Sequence, residues 1–219
     1  MTHLFDGCIF LKEIPDISNW NTSKVETIDF LFTNCCSLKK IPDISKWDTT
    51  NIKSMRCIFK DCLQLTSLPD LSKWNLSNTR SIEMMFFGCK ELILLPDISK
   101  WDVKNIKSMA YCFFGCKSLA CIPDISRWKV DNCYYFTQLF YGCESLLYLP
   151  SFNNWNAKYN SKNDEIITKC ISLVYSPGMY HLSPYYLRVG RIDFMKRVTD
   201  LNLDTLIQNN LINLICRLC

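Results

Sequence analysis

The chain has 219 residues, of which 48% are hydrophobic and 21% charged, and its formal net charge is +4. That length and balance fit one elongated domain, and no apolar run approaches the roughly 18 residues that a membrane helix needs. So mild a positive charge also lacks the concentrated basic face that nucleic acid demands, which leaves protein as the expected partner class.

The first residues, Met1 to Asp6, contain no basic region, no apolar core and no small-residue cleavage site, so a standard secretion signal is not supported and a cytoplasmic location is expected. Residue 1 nevertheless lies inside the repeating pattern that fills most of the chain. A stacked repeat needs a polar cap at each end, and none is visible here. Either the first coil makes end-to-end contact with something else, or the chain continues a longer, surface-exposed protein.

From there the sequence repeats every 27 residues. Trp20, Trp47, Trp74, Trp101, Trp128 and Trp155 are all of its tryptophans, and each follows the last by that interval. Columns of Pro15 to Pro177, Cys8 to Cys170 and Leu11 to Leu173 keep the same register, and a phenylalanine column runs from Phe5 to Phe140. Units of this length that bury equivalent side chains against one another build a solenoid, with the tryptophans as a structural core column.

Each unit is read in order. Ile106, Met109, Cys112, Phe113 and Cys116 have the one-sided spacing of a short helix, with Asn105 or Asp102 as a cap. The column of Gly7, Asn34, Asp61, Gly88, Gly115 and Gly142 contains only residues that tolerate a left-handed backbone, as a helix C-terminus requires. A Ser-Leu-x-x-Leu/Ile stretch then predicts a short strand ending at proline, which has no N–H for a ladder. Such strands would lie parallel about 4.8 Å apart in successive coils. The predicted architecture is an α/β repeat solenoid: a leucine-rich-repeat-like stack with parallel strands on one side, helical turns on the other, and a solenoid domain over residues 1–177.

The string F-x-G-C-x-S-L-x-x-L/I-P-D-I-S-x-W-D/N, kept over roughly residues 4 to 177, resembles the BspA-like leucine-rich repeats, in particular those of mycoplasma lipoprotein-associated domains and of expanded families in microbial eukaryotes. The resemblance implies a right-handed leucine-rich solenoid and, from its bacterial members, adhesion at a cell surface by binding host proteins. It carries no catalytic residue, because the motif is structural.

Residues 178–219 leave the register. Tyr185, Tyr186, Leu187, Val189, Ile192 and Phe194 lead into Leu203, Leu206, Ile207, Leu211, Leu214 and Leu218, whose spacing predicts a helix with one apolar face. It reads either as a helical cap on the last coil or as a docking segment for another chain.

The chemistry-bearing residues are few. His3 and His181 are the only histidines, and no phosphate loop, nucleophile elbow or zinc-helix motif occurs, so no catalytic residue and no cofactor is assigned. The 14 cysteines read foremost as buried apolar side chains in a reduced protein, with disulfides second and zinc third; no metal ligand is assigned. Asp16, Asp43, Asp70, Asp97 and Asp124 form an acidic row beside Lys46, Lys73, Lys100 and Arg127, read as turn acceptors beside solvated cations, with calcium as the other reading.

Variation between coils is where a partner should be sought. The two positions before the last strand residue grade from Lys12-Glu13, Lys39-Lys40 and Thr66-Ser67 to Ile93-Leu94, Ala120-Cys121, Leu147-Tyr148 and Val174-Tyr175. Exposed, the later pairs make an apolar patch that marks a protein-binding surface, with Ile93, Leu94, Leu147, Tyr148, Val174 and Tyr175 as its residues. Covered by residues 178–219, the same side chains would be core. The expected function is a non-enzymatic protein-interaction scaffold, the alternative a cell-surface adhesive repeat.

Overall fold

The computed structural model describes residues 1–155 and 165–173. The C-terminal cap expected over 178–219, and the candidates Val174 and Tyr175, lie outside the described residues. Within them the chain winds into coils of 27 residues, coil 1 over 1–27, coil 2 over 28–54, coil 3 over 55–81, coil 4 over 82–108, coil 5 over 109–135 and coil 6 from 136, with 165–173 opening the next.

No α-helix forms among the described residues. The segment expected to be helical is a double-turn ribbon in which amide groups alternate between two destinations. In coil 4 the N–H groups of Ile82, Met84, Phe86 and Gly88 donate to carbonyls 26 residues on, those of Ser108 at the end of the same coil and of Ala110, Cys112 and Phe114 in coil 5, at 2.7–3.1 Å. Those of Met85, Phe87 and Cys89 close local turns onto Ile82, Met84 and Phe86, at 3.1–3.2 Å. A helix would send every N–H to the carbonyl four residues back; here half of them join neighbouring coils.

The correction has a clear physical origin. Successive three-residue turns place Ile106, Met109, Cys112 and then Phe113 and Cys116 inward, all at most 1% exposed. Over so short a stretch that spacing imitates a helical face. Asn105 and Asp102 cap nothing: Asn105 Nδ2 donates to the Ser77 carbonyl one coil back, and Asp102 accepts from Lys104 N in a local turn. The same side-chain amide bond recurs at Asn51, Asn78 and Asn132, so the column is an inter-coil ladder.

Left-handed backbone does occur where the Gly/Asn/Asp column stands, from Gly7 at φ 75° to Gly142 at φ 71°. A second left-handed position, four residues earlier, is held by Phe30, Cys57, Met84, Tyr111 and Gln138. Such residues rarely adopt this conformation, which costs of order 1–3 kcal/mol each, and the inter-coil ladder offsets it. At Gly88 the side chain of Asp61 lies over the backbone, so an added Cβ would meet Asp61 Oδ1 at 2.2 Å, while at Gly7 nothing lies within 4 Å. Both positions carry the φ strain, and only Gly88 adds a clash. Gly88→Ala is therefore expected to lower the urea midpoint by more than Gly7→Ala, with Asp61→Ala restoring part of the difference; equal losses would show that the contact is immaterial.

The strands expected before each proline shrink to isolated parallel bridges, Lys40 to Ser67 and Cys121 to Tyr148. Backbone bonds from Thr66, Ile93, Ala120 and Leu147 to the coil before, at 3.0–3.4 Å, make a single-file ladder along this side. A second set of bridges links Thr27, Ser54, Ser81, Ser108 and Tyr135. Because each coil spends most of its length turning corners, no extended run survives on either side among the described residues.

The core is a set of side-chain columns. Phe5, Phe32, Phe59, Phe86, Phe113 and Phe140 stack with ring centroids 5.3–5.8 Å apart. Trp74, Trp101, Trp128 and Trp155 stack at 6.2–6.5 Å, and each Trp Nε1 donates to a carbonyl 30 residues back, such as Trp101 to Leu71 at 2.9 Å. That bond satisfies the indole N–H and one backbone acceptor inside the core, where an unpaired polar group is costly. The tryptophan column is thus buried from Trp47 to Trp155. Trp20, in the first coil, differs: it is 37% exposed.

Candidate functional site

The cysteine column is part of the scaffold. Cys35, Cys62, Cys89, Cys116, Cys143 and Cys170 are buried, and each Sγ donates to the carbonyl of a column phenylalanine 30 residues back, at 2.9–3.2 Å. Burial raises the thiols: Cys35 is pushed up to about 12, and Cys62, Cys89 and Cys143 well above their ordinary 9.0. A reactive cysteine needs the opposite, a stabilised thiolate within reach of solvent. These six are hydrogen-bonding spacers.

The aspartate row serves the turns after proline. Asp16, Asp43, Asp70, Asp97 and Asp124 accept from the backbone N–H two residues on, at 2.8–3.0 Å. In Asp16 and Asp70 that backbone bond holds the carboxyl below its usual range, with the serine hydroxyl second. Lys46, Lys73, Lys100 and Arg127 are exposed beside them. A concavity over the first two coils is lined by Lys12, Lys39 and Lys40 but equally by Glu13, Asp16 and Asp43, so its charges largely cancel.

The graded positions lie on the single-file ladder. Lys39, Thr66, Ile93, Ala120 and Leu147 are joined in sequence by N–H to carbonyl bonds, which places Ile93 and Leu147 two coils apart with Ala120 between them. Ile93 is 50% exposed, Leu94 40% and Leu147 38%. Tyr148 is half-buried and bridges to Cys121, which is buried. Two large apolar side chains standing on either side of a small one form a notch roughly 10 Å wide at parallel-strand spacing. The notch can receive an apolar side chain, and nothing in it is placed to perform a reaction.

One surface feature escaped the sequence reading. Phe87, Phe114 and Tyr141, half-buried at the corner of the ribbon, stack at 4.6 and 4.9 Å, with Lys60 over the first ring and Lys169 over the last at 5.3 and 5.2 Å. Their faces are occupied by one another and by the cations, so they present only edges to solvent. The 27-residue interval separates these three as well, and the same alignment that exposed the tryptophans contains them.

Repeated corners, columns and ladders with no reaction centre among the described residues define a tandem-repeat solenoid. The chain belongs to the family described as "Mycoplasma protein of unknown function, DUF285", whose model matches residues 1–93 and 67–176. Among solved structures, the chain is similar to a T. pallidum leucine-rich repeat protein, at 20% identity over 78% of this chain and 69% of that one, with a TM-score of 0.46. It is also similar to a leucine-rich repeat protein from Bacteroides ovatus, at 22% identity over 71% of this chain and 44% of that one, with a TM-score of 0.32. A leucine-rich cell-surface protein from Faecalibacterium prausnitzii shares 14% identity over 79% and 74% of the two chains, with a TM-score of 0.22. No curated protein matches the sequence.

Proposed function

We propose that the chain is a non-enzymatic scaffold of the BspA-like leucine-rich kind that binds protein on its ladder side, around Ile93, Leu94 and Leu147. The observation that carries this reading is the exposure of those three side chains in a stack whose skeleton column Leu38, Leu65, Leu92, Leu119 and Leu146 is fully buried. A single exposed leucine means little, but a cluster on a rigid ladder supplies the apolar centre that protein interfaces use. The charged Lys39 and Lys40 and polar Thr66 and Ser67 border it on the upstream side, as a polar rim would.

Affinity capture with the intact chain tests the assignment. A double Ile93→Glu, Leu147→Glu variant should lose captured protein by about tenfold or more, since truncating an interface centre costs at least 1–2 kcal/mol. Lys73→Glu, on another side of the coil, should capture as the parent does. Equal capture by the double variant, with an unchanged circular dichroism spectrum, would move the binding surface elsewhere.

A further inference from the structure

Half a coil away in sequence from Ile93 and Leu147, a second backbone ladder carries a different gradation. Its N–H to carbonyl bonds run from Lys53 to Glu26, Arg80 to Lys53, Lys107 to Arg80 and Tyr134 to Lys107, at 2.7–3.0 Å. The five residues therefore stand in single file, about 4.8 Å apart, and all five are exposed. Beside them runs the bridged file of Thr27, Ser54, Ser81, Ser108 and Tyr135. Its serines are short and half-buried, and Ser81 and Ser108 Oγ accept the N–H groups of Glu83 and Ala110 at 3.2 and 3.4 Å. They make a low floor alongside the longer cations.

Charge is unevenly settled along this side. Lys53 has Glu26 at 2.9 Å, and the neighbouring Arg56 and Lys104 have Glu83 at 3.5 Å and Asp102 at 2.9 Å. Arg80 and Lys107 pair with no carboxylate among the described residues, although the ladder sets them on adjacent coils. Like charges side by side on adjacent strands are destabilising, and an incoming anion relieves both at once. Lys107 turns instead to the Tyr134 ring, 5.5 Å from its centroid, and Tyr134 is 40% exposed. Two cations without counter-charges thus adjoin an exposed aromatic ring.

Charge and spacing select the occupant. Two such cations call for two carboxylates, and the tyrosine at the end of the file offers an apolar contact; Arg and Tyr are the residue types enriched at interface centres. In an extended chain every second side chain faces the same way, roughly 6.6 Å apart, and the long Arg and Lys stems take up the difference from the coil spacing. We propose that this side binds an extended acidic segment of a partner protein, with two carboxylates at alternate positions facing Arg80 and Lys107 and an apolar side chain, two residues further on, against Tyr134. Nucleic acid fits less well: Glu26, Glu83 and Asp102 stand among the cations, and a phosphate backbone calls for a concentrated basic track.

Fluorescence anisotropy at low ionic strength tests this, with a labelled synthetic peptide in which two glutamates and a leucine alternate with serines. The intact chain should bind it, and about tenfold more weakly once both glutamates are replaced by glutamine. An Arg80→Gln, Lys107→Gln variant should lose about tenfold in affinity for the glutamate peptide. Lys46→Gln, Lys73→Gln removes the same charge from another side of the coil and should bind as the parent does. All four positions are exposed, so the circular dichroism spectra should coincide. Absence of binding, equal loss in the two variants, or indifference to the glutamine exchange overturns the proposal. A single-stranded oligonucleotide that binds more tightly than the peptide, and is lost in the Arg80→Gln, Lys107→Gln variant, would assign this side to nucleic acid and overturn it equally. None of these outcomes touches the reading of Ile93 and Leu147, which lie on the other ladder.

Discussion

Replacing Trp101 by alanine should cost the protein about 3–5 kcal/mol, the range found when a large aromatic side chain is removed from a core. Trp101 is 4% exposed and sits between Trp74 and Trp128, with centroids at 6.5 and 6.3 Å, so the vacancy would open in the middle of a column. The Leu71 carbonyl also loses the indole N–H that satisfies it. Trp101→Phe separates the two losses: it restores much of the packing but leaves that buried acceptor unpaired, an expected cost of about 1–3 kcal/mol. Trp20→Ala supplies an internal control, because Trp20 is partly exposed and its Nε1 has no acceptor among the described residues, and it should cost less than about 1 kcal/mol. Urea denaturation read by circular dichroism measures all three. If Trp101→Ala lay within 1 kcal/mol of the parent, the column would be decoration on a stack held by its backbone ladders.

The contrast between Trp101 and Trp20 also shows what could be read from the sequence. A rare residue at a fixed interval announces the stack, and its columns locate the core, because identical side chains in identical places must meet. Position in the column was harder to read: Trp20 belongs to the same series as Trp101, yet it is 37% exposed where Trp101 is 4% exposed. The element type was harder still. Ile106, Met109, Cys112 and Phe113 point inward in a helix or in successive turns, and the deciding quantity is where the intervening N–H groups go, which leaves no mark on side-chain spacing. The left-handed Met84 and Tyr111 illustrate the limit, since neither residue type signals that conformation. On the candidate surface, the apolar pairs Ile93-Leu94 and Leu147-Tyr148 were legible as a departure from the repeat. That Cys121 turns inward while Ile93 and Leu147 remain exposed was decided by packing.

Alkali should unfold this protein at a pH where most reduced proteins of its size survive. Cys62, Cys89, Cys112, Cys116 and Cys143 are buried as neutral thiols, each raised above the ordinary 9.0 first by desolvation. Neighbouring thiols in the column add to the rise at Cys62, Cys89 and Cys143, and Cys112 adds to it at Cys116, since one thiolate disfavours another beside it. The folded state therefore holds protons that the unfolded chain releases. Stability from these groups is fully present below the unfolded value and is lost as pH rises through 9.0 towards the folded values. For a thiol that stays protonated in the fold, ionisation of the unfolded chain amounts to roughly 1 kcal/mol at pH 10, and several such groups together give several kcal/mol. A folded domain is ordinarily stable by about 5–15 kcal/mol, so the loss is comparable with the whole. Urea midpoints measured in reducing buffer should be flat from pH 7 to 8 and fall steeply above 9. Cys89→Ala and Cys116→Ala each remove one ionising thiol and should make that fall shallower, while lowering stability at neutral pH by the loss of a hydrogen bond to Phe59 or Phe86. A midpoint unchanged between pH 8 and 10 would mean that the column thiols ionise as readily in the fold as outside it, and that the dry stack of phenylalanine carbonyls and cysteine sulfurs admits water.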